Sequence, residues 1–256
     1  MLQSVSNEHD EHHMASQTNS IEALVAARED GKRHLLLASN TTQRIRLLPV
    51  IVQELAKYEG NLSIRVVLTE SATHFLRGQS AEQPTLSSLR ELPNVDAVYR
   101  DRDEWGPHPW RRGASILHID TYVVPFDVFA LSANTLAKVV NGMSDNLLTS
   151  VIRAWDTDAS IDMKKKIIVV APAMNSAMWR NPITMKQIRT LKEDWGVREE
   201  RHEAGQVRSI TGWFKVITPI SKTLACGDTG DGQFTTLSES IRANASPRHG
   251  IGAVYL

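Results

Sequence analysis

The stretch "KKKIIVVAP", Lys164 to Pro172, constrains the fold most. Its apolar residues run on without alternating with polar ones, as expected of a strand covered on both faces, the situation in a parallel sheet layered with helices. Such strands need crossover connections, and the rest of the chain supplies them as short apolar runs alternating with amphipathic segments. "HLLLAS" (His34–Ser39) reads as a strand, "RIRLLPVIVQELAKY" (Arg44–Tyr58) as a helix and "IRVVLTE" (Ile64–Glu70) as the next strand. Pro49 lies inside the helical pattern, so the helix either starts near it or is kinked there. In "SANTLAKVVNGMSDNLLTSVIRAW" the residues Leu136, Val139, Val140, Met143, Leu147, Leu148, Val151 and Ile152 fit one helix face, with Gly142 a candidate break into two helices. A further helix is expected with Asn181 as N-cap, Pro182 in its first turn and Gly196 at its end, followed by a last clear strand in "FKVITPI" (Phe214–Ile220). Strands alternating with helices imply an α/β fold: an open, mostly parallel, doubly wound sheet of Rossmann-like form, with helices on both faces.

The charge balance narrows the partners. Lys plus Arg and Asp plus Glu each number 29 in 256 residues, leaving no global field to attract nucleic acid or an anionic membrane. Any anionic ligand must be held locally. No apolar run approaches the roughly 20 residues of a membrane span, and the polar N-terminus is unlike a signal peptide, so a cytoplasmic protein is expected. Residues 1–32 read as a disordered polar tail; the cluster "EHDEHH" (Glu8–His13) has no second ligand set at fixed spacing, and no metal site is assigned. The single cysteine, Cys226, excludes an intrachain disulfide and is either an inert small apolar residue or a chemically used thiol.

In a sheet of this kind ligands bind beyond the carboxyl ends of the strands, where free N–H groups meet the positive ends of helices. Met174 and Asn175 directly follow the strand "IIVVAP", and Ser132, Asn134 and Thr135 directly follow the short run "VFAL". Read singly, Ser132 or Asn134 could be a helix cap, and Met174, Met178 and Trp179 core packing. Their joint occurrence favours a site.

Four segments in order, "ILHID", "ALSANTLAKVVNGMSDNLLTSVIRAWD", "APAMNSAMWRNPIT" and "LACGDTGDGQF", resemble the flavin-dependent cysteine decarboxylase family, in particular its members in coenzyme A synthesis. The resemblance spans about His34 to Ile241 and implies a flavoprotein decarboxylase domain over residues 33–245, with a C-terminal tail at 246–256. It implies bound flavin mononucleotide (FMN) and decarboxylation of 4'-phosphopantothenoylcysteine to 4'-phosphopantetheine. The family's active-site histidine falls on His118, its carboxylate-holding asparagine on Asn175 beside Met174, and its proton-returning thiol on Cys226. Flavin contacts fall on Ser132, Ala133, Asn134, Thr135 and Ala173, with Thr69 and Phe75 from "VVLTESATHFL" and Ser39 at the first turn. That turn, "ASNTTQR" (Ala38–Arg44), has no glycine where the family has one, and Ser39, Asn40, Thr41 and Thr42 offer hydroxyl and amide donors instead. The glycines of "ACGDTGDG" suit either a tight turn or the family's mobile flap. The resemblance further implies a homotrimer with sites at subunit interfaces. It leaves open a non-catalytic, phosphatase-inhibitory relative, although the C-terminal "SPRHGIGAVYL" lacks an acidic run, and a decarboxylase of another cysteine-containing substrate.

Overall fold

A computed structural model describes residues 31–40, 45, 48–58, 61–76, 83–105, 111–112, 116–121, 126–161, 165–201, 207–217, 220–223 and 229–233. Strand β1 (Arg33–Ser39) leads to helix α1 (Leu48–Tyr58), strand β2 (Leu62–Leu68), the short helices α2 (Glu70–Thr73) and α3 (Leu86–Arg90), and strand β3 (Val95–Arg100). Helix α4 (Leu117–Thr121) and strand β4 (Phe126–Leu131) follow, then helices α5 (Ala133–Val140) and α6 (Leu147–Arg153), strand β5 (Ile168–Pro172), and helices α7 (Ser176–Arg180) and α8 (Pro182–Arg189), the last continued by a π-helical turn at Thr190–Asp194. The remaining strands are β6 (Arg198–Arg201), β7 (Val207–Thr211), β8 (Phe214–Val216), β9 (Ile220–Thr223) and β10 (Thr229–Gln233).

Six strands form one sheet in the order β3-β2-β1-β4-β5-β8, and each neighbouring pair is parallel. The chain builds outward from β1 through β2 and β3, then returns to the other side of β1 with β4, β5 and β8. The order therefore reverses between β1 and β4, and a crevice is expected beyond their carboxyl ends. Two antiparallel pairs, β6 with β7 and β9 with β10, lie outside this sheet.

Successive residues of one strand feed opposite layers. Leu36 and Ala38 pack in the cluster with Val67, Tyr99, Leu117, Leu136, Leu148, Val151 and Ile168. Leu35 and Leu37 pack in the second cluster with Ile51, Leu55, Val66, Leu68 and Val98. All seven residues of β2 and all five of β5 are buried, which is why β5 is apolar throughout, while β2 buries Ser63 and Arg65 among its apolar residues. Each fully buried Leu or Ile contributes about 1.5–3 kcal/mol relative to exposure, so the two layers hold the sheet from both sides.

Local rules account for the helix ends. Helix α1 starts at Leu48 with Pro49 in its first turn, the unkinked outcome. The long pattern after Ser132 does break: Val140 ends α5, Gly142 takes φ of +69°, and Asn146 restarts α6 by accepting a hydrogen bond from Thr149 N. Asn181 caps α8 through Ile183 N at 3.1 Å, with Pro182 in the first turn. Gly196 ends this region because a Cβ there would lie 1.9 Å from the Lys192 carbonyl oxygen. Strand β8 is shorter than "FKVITPI" suggests: it stops at Val216, although Ile217 N still donates to Val170 O at 2.8 Å, and Ile220 belongs to β9.

Candidate active site

The carboxyl ends of four adjacent strands are tied into one rim. Thr69 N donates to Ser39 O at 3.2 Å, joining the ends of β2 and β1. The Asn40 side chain crosses the switch point, its Oδ1 accepting from Ser132 N at 2.9 Å. Ala173 N donates to Leu131 O at 2.8 Å, joining β5 to β4. Ser39, Thr69, Ser132 and Ala173, four residues singled out by sequence, therefore stand on neighbouring strand ends.

On this rim Ser132 caps α5, its Oγ accepting from Thr135 N at 3.1 Å, and Thr135 is buried behind it. Ala133 is half-buried and Asn134 exposed. Thr69 caps α2 by accepting from Ala72 N at 3.3 Å, and Phe75 packs half-buried against the α1-side core. Asn175 is the exposed N-cap of α7: Oδ1 accepts from Met178 N at 2.8 Å, so the cap engages the acceptor end of the amide. No described residue partners its Nδ2 donors. Met174 packs half-buried against the core, and Thr184 Oγ1 lies 3.9 Å from its sulfur.

The polar rim fits a flavin. Asn40 is only 5% exposed, its Oδ1 is taken by Ser132, and no described residue partners its Nδ2. A buried donor without an acceptor costs about 1–3 kcal/mol. A ligand rich in acceptor oxygens, seated between the ends of β1 and β4 at the positive end of α5, would offset that cost. The side-chain amide of Asn40 thus supplies a donor in the turn that lacks the family's glycine.

His118 lies elsewhere. It belongs to α4 and lines a cleft of about 410 Å³ together with Glu104, Trp105, Ser144, Asp145, Asn146, Ser150, Arg153 and Ala154. The His118 Nδ1 lies 2.5 Å from Glu104 Oε1, and the Trp105 ring meets the imidazole edge-on at a centroid distance of 6.4 Å. Asp145 also forms an ion pair with Lys138, and this hydrogen bond, ahead of other causes, holds its carboxyl below the ordinary range. The cleft is anchored by Asp101, which accepts from Glu70 N at 2.7 Å and from Leu147 N at 3.1 Å. Burial pushes the Asp101 carboxyl upward, against the pull of those two hydrogen bonds. The lining of this cleft includes neither Asn175 nor Met174 nor Ser132. Cys226 lies outside the described residues, between β9 and β10.

Among the described residues no cluster of His, Cys, Asp and Glu could hold a metal ion, and no helix is long and apolar enough to cross a membrane. Sequence reasoning passed over Glu104, Trp105 and Arg153. The signal for Glu104 was its place in "DRDEW", an acidic run ending in an aromatic residue shortly before "LHID".

The flavoprotein family matches residues 24–244. A phosphopantothenoylcysteine decarboxylase of Arabidopsis thaliana is 35% identical over 218 residues, which cover 80% of this chain and 86% of that protein. A solved structure of a mutant PPC decarboxylase complexed with pantothenoylaminoethenethiol is 31% identical with a TM-score of 0.59, covering 81% of this chain and 93% of that one. The structure of the FMN binding protein AtHal3 is 32% identical with a TM-score of 0.57, covering 81% of this chain and 91% of that one. A family match over most of the length, a decarboxylase relative at this identity and the same doubly wound sheet together make this chain a member of the flavoprotein family, within its phosphopantothenoylcysteine decarboxylase group.

Proposed function

We propose that the protein is an FMN-dependent phosphopantothenoylcysteine decarboxylase of coenzyme A biosynthesis, converting 4'-phosphopantothenoylcysteine to 4'-phosphopantetheine as a cytoplasmic homotrimer. The observation that carries this reading is the tied rim at the switch point, with the buried, unpartnered amide donor of Asn40 among the flavin-contact residues. Ser39, Asn40, Thr69, Ser132, Ala133, Asn134, Thr135 and Ala173 would hold the FMN, with Phe75 behind them. When bound, the flavin would supply a two-electron oxidation at the thiol-bearing carbon of the substrate, leaving the carboxylate β to an electron sink, and would return the same two electrons to the decarboxylated product, so that the overall reaction is redox-neutral.

The chain's own residues do the rest. Asn175 keeps its Nδ2 donors for the substrate carboxylate because the helix cap uses only Oδ1. A neutral amide grips the group without a full ion pair that would resist loss of its charge. His118 handles a proton at Nε2, since Nδ1 is held by Glu104. The Cys226 thiol returns a proton in the last step, and "ACGDTGDG" covers the substrate as a flap.

A trimer would bring together His118 and Asn175, which do not line a common cleft within one chain. Among the described residues, exposed apolar side chains include Trp105, Ile119 and Met143, in or next to segments that line the His118 cleft, and Met178, Ile183 and Met185 on the helices that follow Asn175, with Val50 and Ile161 exposed elsewhere. Two unlike patches on one chain suit a head-to-tail contact that closes into a ring. One subunit's His118 would then meet the next subunit's Asn175.

The test is the visible spectrum of the freshly purified protein, followed by a CO₂-release assay on the substrate. Oxidised flavin bands at about 370 and 450 nm are expected, for a cofactor whose electron chemistry the protein positions. A protein that stays colourless after addition of FMN, and releases no CO₂, overturns the reading.

A further inference from the structure

We propose that Glu104 is the positioning residue of His118: its buried carboxylate holds the imidazole in the tautomer with the proton on Nδ1, leaving Nε2 bare for the chemistry. The inference rests on the catalytic reading of His118 given above and adds the group that makes the histidine competent.

The geometry begins with the turn after β3. Arg100 N donates to Asp103 Oδ2 at 2.8 Å, and the Arg100 guanidinium closes on the same carboxylate at 3.2 Å. Asp101 spans from Glu70 N to Leu147 N, and Glu104 N donates to Asp101 O at 3.3 Å. Three of the four residues of "DRDE" thus have separate assignments: Asp101 ties the turn to two helices, Asp103 closes it, and Glu104 is delivered to the cleft by a backbone fixed on both sides.

Glu104 is only 8% exposed, and a carboxylate taken out of water needs a hydrogen-bond donor. Nδ1 of His118 stands 2.5 Å away. A carboxylate is acceptor-only when ionised, so the shared proton belongs to Nδ1 and the neutral ring carries none on Nε2. No described residue partners Nε2. The side chain of His118 remains 21% exposed, and Trp105 stands edge-on to the ring. A histidine held at one nitrogen by a fixed carboxylate presents the other with a defined direction, which is what acid–base work requires. An unconstrained imidazole in water prefers the opposite tautomer, with its proton on Nε2, and would have no lone pair there.

The experiment is ring ¹⁵N NMR on histidine-labelled, FMN-loaded protein near pH 8.5, where an ordinary imidazole is neutral, with His118→Asn identifying the signal. The wild type is expected to show an Nδ1-protonated His118. Glu104→Met, which keeps bulk but offers no carboxylate, is expected to move it to the Nε2-protonated form and to lower kcat about 10- to 1000-fold with KM and flavin content nearly unchanged. Glu104→Asp, which keeps the carboxylate on a shorter arm, is expected to retain the tautomer with a smaller loss in kcat, and it serves alone should the Met variant not fold. An Nε2-protonated His118 in the wild type overturns the proposal. So does an unchanged tautomer in Glu104→Met, or a loss confined to KM. Full activity in His118→Asn would instead sink the catalytic reading of the histidine, while the NMR signal still reports whether Glu104 holds it.

Discussion

At Asn175 and Asn40 only the oxygen end of the amide is engaged by the fold, and this makes both residues testable without confusing function with folding. Asn175→Asp keeps an Oδ1 acceptor for Met178 N but replaces the Nδ2 donors with a second carboxylate oxygen that repels the substrate's own. Decarboxylation is expected to fall at least 100-fold while the melting temperature moves little, since Asp and Asn cap helices about equally well; a calorimetric scan beside the CO₂ assay checks both halves. Asn40→Asp keeps the acceptor for Ser132 N and loses the donor that would serve the flavin. FMN affinity, read from quenching of flavin fluorescence, is expected to fall about 5- to 100-fold, the range corresponding to one buried hydrogen bond. His118, Asn175 and Cys226 were singled out in the sequence because each sits in a long segment that resembles the family, and Cys226 lies outside the described residues. Glu104 was not: its partner lies 14 residues away, and a carboxylate inside an acidic run reads as solvated surface until the fold buries it.

Elements were legible where a periodic signal survives. Strands β1 and β5 announce themselves as apolar runs, and the two-helix reading around Gly142 holds because a residue at φ of +69° cannot continue a helix. Strand β3 has no clear signature: a register shift leaves Asp96 without a partner between Val95, opposite Ile64, and Ala97, opposite Arg65, and this bulge breaks the alternation a reader would count. Tyr99 on that strand is pushed up to about 12 from 10.0, chiefly by burial and despite the nearby Arg65 guanidinium. A raised folded value means that the neutral phenol is favoured by the fold. Its contribution is complete below pH 10 and is lost as the pH rises from 10 through about 12. Urea unfolding of the wild type and Tyr99→Phe across that window is expected to show the wild type alone losing stability, by on the order of 2 kcal/mol. The close approach of Gly196 and Gly212 is a separate element-level constraint. A Cβ at Gly212, already at φ of +72°, would lie 2.1 Å from the Gly196 carbonyl oxygen. Gly212→Ala is expected to cost more than about 2 kcal/mol, measured by chemical denaturation, because backbone must move to admit it.

For the whole molecule, the doubly wound architecture followed from β5 being apolar throughout, whereas the proposed assembly came only from the family resemblance. Met178 is exposed on the helix that follows Asn175 and tests the proposed trimer: if that assembly forms through this face, Met178→Glu is expected to give monomers in sedimentation velocity and to abolish decarboxylation while His118 and Asn175 are both intact. The Asn40 bridge between β1 and β4 carries a consequence for the stability of the protein. A ligand that binds only the folded state adds about 2.7 kcal/mol of stability when its free concentration is 100 times its dissociation constant. A flavin seated at that bridge would act as a brace between the two halves of the sheet, so the melting temperature of the flavin-free polypeptide is expected to rise as FMN is added.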